Sequence, residues 1–250
     1  MDASVKVAEV RAGRGASWLA EAFGSFFRKA PLAWIGLTAG WLIITFGLIL
    51  VPLIGGVIAN FLQPVFFASF AIVALRQAAG EPVVMGDLFL GFRRNLRALV
   101  NLGAILLIVE IAIFAFMALL GLPMGGGADK ATFTMGEYVE MLKGKEWILI
   151  LGFLLTAMVK GALWFAPQLI ALHDMSMSHA MRWSLYAALA NFGAMVVYGI
   201  ALMGLFFVAL IPWGLGLLLV IPIMVISTYV GYREVFEGKH PGTSPQGDQT

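Results

Sequence analysis

Residues 41–56 read WLIITFGLILVPLIGG, with no charged side chain and no alternation of polar and apolar positions. They sit inside a longer stretch, Pro31 to Leu75, that contains no Asp, Glu, Lys or Arg. A helix rises 1.5 Å per residue, so about 20 apolar residues cross roughly 30 Å of hydrocarbon. The stretch is therefore long enough for two crossings with a tight turn around Val51-Pro52. Inside lipid the backbone has no water to bond, and only helices or closed barrels satisfy it. A barrel would show alternating segments of about ten residues. The continuous runs here point to helices.

The rest of the chain agrees. Of its 250 residues 61% are apolar and 12% are charged, and the mean hydropathy is +0.93. A soluble domain carries roughly 25% charged residues. The net charge of only +2 argues against a nucleic-acid partner. The absence of cysteine removes disulfides, thiolate nucleophiles and Cys-based metal sites. Apolar character begins near Pro31 after a charged leader and outlasts a signal-peptide core, so the first span reads as an uncleaved signal anchor.

Six spans are expected: Pro31–Leu50, Leu53–Leu75, Ala98–Leu122, Trp147–Leu172, Phe192–Ile211 and Leu215–Tyr232. The first two and the last two form tight hairpins. Residues 1–15 read as an N-terminal tail, 16–236 as one polytopic membrane domain and 237–250 as a disordered tail. Twelve of the sixteen Lys and Arg residues fall on one side of this arrangement. By the positive-inside rule that side is cytoplasmic and holds both termini.

Three short segments with helical period and a basic or polar side precede the odd-numbered spans. Trp18, Leu19, Ala22, Phe23 and Phe26 share one face of the first. Leu88, Phe89 and Phe92 share one face of the second, with Asp87 placed as its N-cap. Met181, Leu185 and Leu189 share one face of the third. Each reads as an amphipathic interfacial helix lying in the headgroup plane. The second span of each pair holds a proline, Pro64, Pro167 or Pro222. The chain is then either three repeats of surface helix plus hairpin, or a coincidence of common membrane features. In the loop between spans three and four, Thr134 and Glu137 make a capping box and Phe133 is placed to staple onto Tyr138. A helix Met135–Lys143 is expected there, on the outer surface or as a lid, with Gly125-Gly126-Gly127 as its hinge.

Chemistry is sparse. His173, Asp174 and His179 lie close in sequence, but their spacing matches no metal motif and they read as interfacial polar residues. Glu110 and Lys160 are mid-span, where an ionisable group costs several kcal/mol unless paired or hydrated. They are candidates for a helix–helix ion pair, or for an ion path, or Lys160 reaches the interface alone. Asn60, Gln63 and Gln168 flank Pro64 and Pro167, either to satisfy carbonyls freed at the kinks or to line a polar cavity. Gly36 and Gly40 form a GxxxG that lets another helix backbone approach closely, within the monomer or in a dimer. Trp34, Trp41, Trp147, Trp164 and Trp213 read as lipid-facing or interfacial anchors. Neither a nucleophile–base pair nor a dense acidic or His cluster is visible, and no cofactor is implied.

The stretches FFRKAPLAW (26–34), LFLGFRRN (88–95), LWFAPQLIA (163–171) and TYVGYREVF (228–236) resemble a family of uncharacterised proteobacterial six-span inner-membrane proteins. The likeness runs from about Trp18 to Phe236. It implies an all-α membrane fold in a bacterial inner membrane and carries no catalytic or binding residues over. The expectation is a non-enzymatic structural, lipid-interacting or partner-binding protein. Anionic inner-leaflet lipids are its expected partners, with a protein partner or second copy left open. The alternative is a small transporter or channel using Glu110 and Lys160.

Overall fold

The computed structural model describes residues 6–122 and 134–238. The glycine run 125–127, Phe133 and the tail with His240 lie outside the described residues. Among those described there is no strand. The helices are α1 (Arg14–Glu21), α2 (Pro31–Ile49), α3 (Gly55–Ala78), α4 (Leu96–Leu119), α5 (Met135–Leu142), α6 (Glu146–Ala162), α7 (Ala166–His173), α8 (Met177–Ala190), α9 (Phe192–Leu210) and α10 (Leu217–Glu237). Six units are long and apolar enough to span: α2, α3, α4, α6 with α7, α9 and α10. Their ends fall within a few residues of the boundaries expected from hydropathy, except that α10 continues to Glu237.

Burial sorts the spans. Within their most apolar windows, α3 is 56% and α10 72% buried, against 11–17% for the other four. These two therefore form the centre, in contact with each other, and α2 packs on both. α7 joins them on α3. The core is concentrated in the half of the bundle that carries the termini, where Phe66, Phe70, Phe165, Leu169, Ile226 and Tyr229 are nearly inaccessible. At this basic end the N-terminal segment before α1 is tied down: Ala8 N–H donates to the Val235 carbonyl over 2.7 Å, and Val10 N–H to Asn191 Oδ1 over 2.7 Å.

The three amphipathic segments form, each with a different backbone. The first is α1 followed by a π-helical turn (Ala22–Phe26) and a 3-10 turn (Phe27–Lys29). The second is 3-10 throughout (Met85–Arg93), and the third is α8. A break separates each from the next span. Ala30 (φ −147°, ψ 57°) precedes Pro31, which stands at the start of α2 where its missing N–H costs nothing. The second and third segments rest on the hairpin before them in the chain, residues 85–93 on α3 and α8 on α6 and α7, whereas α1 rests on the last hairpin, α9 and α10.

Small residues make these contacts. A Cβ at Gly15 would stand 2.0 Å from the Ala194 carbonyl oxygen, and one at Gly91 2.1 Å from that of Val65. Gly91 N–H donates to Ser69 Oγ over 2.8 Å, and Phe165 N–H to Ser184 Oγ over 3.0 Å. At the opposite end the hairpin turns at Leu53 and Trp213 each place a non-glycine residue at positive φ, 68° and 56°.

Several sequence expectations are corrected. Asp87 is not an N-cap. It stands three residues into its segment, where it accepts from Val84 N–H and from Arg76. On α8, by contrast, Leu185 and Leu189 share an exposed face as expected, and Ala180, Ser184, Ala187 and Ala188 form the packed side. Trp34 is no lipid anchor: it is fully buried and its indole donates to Gln77 Oε1 over 3.0 Å. Gly36 and Gly40 receive the side chains of Met85 and Leu88, not a helix backbone. Trp147 and Trp213 are exposed as expected.

Candidate functional site

Glu110 and Lys160 meet. α4 packs beside α6, and Lys160 Nζ lies 2.7 Å from Glu110 Oε1. Helical rise brings them together. Each stands fourteen residues into its helix, roughly 21 Å along the axis. The two run in opposite directions, and each side chain tilts toward its helix N-terminus, so each leans toward the other's level. The side chains keep 30% (Glu110) and 40% (Lys160) exposure, on two peripheral spans. Within a bilayer core an ionisable group costs several kcal/mol unless it is paired or hydrated, and each of these residues supplies the other's partner.

The kink residues separate into two groups. Pro64 is buried in the middle of α3. Without an N–H it leaves the Asn60 carbonyl free, and α4 covers it: a Cβ at Gly103 would come within 2.7 Å of that oxygen. The Asn60 side chain turns the other way and donates to the Gly56 carbonyl over 3.1 Å. Gln63 is half-buried beside the proline. Pro167 stands at the second position of α7, after a turn at 163–165 that breaks the fourth span. Gln168 is fully buried there. In the amide orientation that satisfies its neighbours, Gln168 Nε2 donates to the carbonyls of Trp164 (3.1 Å) and Phe165 (3.2 Å), and its Oε1 lies 3.0 Å from the Thr228 hydroxyl. Gln168 thus closes the break and joins α7 to α10. It does not reach the Glu110–Lys160 pair through any of these bonds.

A second polar cluster lies at the basic end, and sequence reading missed it. Glu234, 2% exposed, accepts both prongs of Arg14 (2.6 and 2.8 Å) and the Trp18 indole N–H (2.8 Å). The hydrogen bond that Arg14 donates to Glu234 raises the Arg14 pKa above its ordinary value, so the guanidinium stays charged. Arg233 pairs with Glu21 and lies against the rings of Phe26 and Tyr229. Arg76 bridges Glu81 (2.6 Å) and Asp87 (2.8 Å). Arg14 and Glu234 are 220 residues apart in sequence and Glu21 and Arg233 are 212 apart, so no local spacing announces either pair. His173 hydrogen-bonds with the Tyr232 hydroxyl. Among the described residues no three His, Cys, Asp or Glu side chains cluster as metal ligands would.

The comparisons with known proteins follow the same lines. No family model matches the chain, and no solved structure matches it. It is 28% identical over 267 aligned positions to a protein of Burkholderia thailandensis described as a probable inner membrane protein. The alignment covers 95% of this chain and 96% of that one. Six apolar helices and this end-to-end likeness agree with the resemblance carried by FFRKAPLAW and its companion stretches: the chain is an all-α, multi-pass membrane protein similar to a proteobacterial inner-membrane protein of unassigned activity.

Proposed function

We propose that the protein is a non-enzymatic inner-membrane component whose work is done through its lipid-facing and basic surfaces. The supporting observation is where the polar groups lie. The centre of the bundle, α3, α7 and α10, is filled mainly by aromatic and aliphatic side chains, and the polar groups buried among them, Ser69, Gln168, Ser227 and Thr228, carry no charge and are hydrogen-bonded within the protein. Glu110 and Lys160 sit on two peripheral spans and neutralise each other. An ion path would instead bring intramembrane charge to the junction of the central helices. Arg28, Lys29, Arg93, Arg94 and Arg97 are exposed at the basic end. Each Lys or Arg at an anionic leaflet contributes about 1 kcal/mol, and the positive-inside rule makes that leaflet cytoplasmic. The partners are then anionic phospholipid headgroups.

Reconstitution tests this reading. Vesicles holding the protein should pass protons and small ions no faster than empty ones. The protein extracted in mild detergent should retain phosphatidylglycerol or cardiolipin above their share of the membrane. A flux that Glu110→Gln abolishes would overturn the reading in favour of a transporter.

A further inference from the structure

The contact between Glu110 and Lys160 uses only part of what the two groups can bond. An ammonium carries three N–H donors and a carboxylate about four acceptor sites, and the contact of 2.7 Å takes one of each. Both side chains stay partly exposed. α6 packs chiefly on α4 and α8, and α4 and α6 belong to the lightly buried spans. Phe114 stands one turn beyond Glu110 on the same face of α4, and Phe153 two turns before Lys160 on the same face of α6. They are 56% and 58% exposed. The two helices run in opposite directions, so both rings lie on the same side of the pair, away from the basic end. Side by side, α4 and α6 thus present a carboxylate next to an ammonium, with one aromatic ring above each.

We propose that this α4–α6 face docks a second copy of the chain, as a two-fold dimer in the plane of the membrane. The argument is charge complementarity. A closed dimer of two chains inserted the same way has its two-fold axis along the membrane normal. With the axis in front of the pair, α4 of each copy stands opposite α6 of the other. Glu110 then faces Lys160 of the second copy, and Lys160 faces Glu110 of the second copy. Depth matches without adjustment, because rotation about the normal leaves every residue at its own depth and the two charges already share one. The four groups close into a ring of alternating sign, in which each carboxylate meets two ammonium groups and the free donors and acceptors find partners. A face carrying a single charge would set like against like under the same axis. The rings follow. Phe114 and Phe153 lie roughly 6 and 10 Å from the charges along their helices, so each comes within about 5 Å in depth of the other across the axis, in reach of an aromatic contact. Acyl chains offer no polar group at this depth. The dimer adds to the lipid-contacting reading and does not depend on it.

The test is crosslinking between two differently tagged full-length chains in membranes. The native chain has no cysteine. Phe114→Cys in one chain and Phe153→Cys in the other, treated with a short bifunctional thiol reagent, should give a doubly tagged product. Its yield should exceed several-fold that of Phe46→Cys on α2 with Phe207→Cys on α9, positions 62% and 67% exposed. Equal yields overturn the proposal, as does a crosslink to a different protein in place of the doubly tagged product. The charge ring has its own test. A tagged Glu110→Gln chain should capture a Lys160→Met chain several-fold more than it captures its own kind, because only the mixed dimer sets a carboxylate opposite an ammonium. Equal capture overturns the ring. Wild-type chains that stay monomeric in vesicles at every protein-to-lipid ratio overturn the dimer, whether or not the variants fold. Ion flux and lipid retention are read separately, so loss of the dimer leaves the lipid-contacting reading unaffected.

Discussion

At the scale of single residues, the Glu110–Lys160 pair sets the sharpest expectation. Removing one partner strands a charge in hydrocarbon, at about 3 kcal/mol. Removing both leaves two neutral side chains of similar length. Glu110→Gln alone and Lys160→Met alone should each destabilise the folded protein by about that amount, and the double substitution by much less. Thermal or denaturant unfolding in detergent measures all three; additive losses would show that the residues do not depend on each other. Glu234 makes a different case, because its partners lie at the basic end. Glu234→Ala leaves the Arg14 guanidinium and the Trp18 indole without their acceptor. A cost of about 2–3 kcal/mol follows from orphaned donors, one of them charged. The accompanying sign is loosening of the N-terminal segment, read as faster hydrogen exchange around Arg14–Leu19.

At the scale of elements, the amphipathic segments are held by close backbone approach. Gly15 lies against Ala194 and Tyr198 of α9, and Gly91 against Val65 and Ser69 of α3. Even one methyl at either place requires two elements to separate. Gly15→Ala and Gly91→Ala should each lower stability by about 1–3 kcal/mol. Gly13 and Gly24 stand in the same N-terminal segment with open space where a Cβ would go, and alanine there should be neutral or mildly stabilising. Melting temperatures of the four variants give the comparison, and equal losses at all four would count against packing as the cause. The same logic explains α8. Its small residues pack on α6 and α7, and its large apolar residues are left for lipid.

At the scale of the whole molecule, the two ends of the described chain share one end of the bundle, since Ala8 pairs with Val235. α5, with its Thr134–Glu137 capping box, belongs to the connection from α4 to α6 at the other end. We propose that the end with the termini is cytoplasmic. The native chain has no cysteine, so single cysteines report cleanly. Gly136→Cys should react with an impermeant thiol reagent in intact cells, and Glu9→Cys only after the membrane is opened. The reverse pattern would invert the orientation.

The sequence by itself determined the six spans, because hydropathy is a local sum and the bilayer thickness sets its length scale. It also located the capping box, whose partners are three residues apart, and singled out Glu110 and Lys160, because a mid-membrane charge has few partners to choose from. What it left open was which apolar surface meets protein and which meets lipid. Both environments are equally oily, so hydropathy cannot separate buried Trp34 from exposed Trp213, or the packed side of α8 from its lipid side. Only the tertiary structure decides that, through the size and shape of side chains where helices touch. It also decided the Arg14–Glu234–Trp18 cluster and the Arg233–Glu21 pair. Each depends on one segment docking against helices about 200 residues later in the chain, and no local pattern encodes that contact.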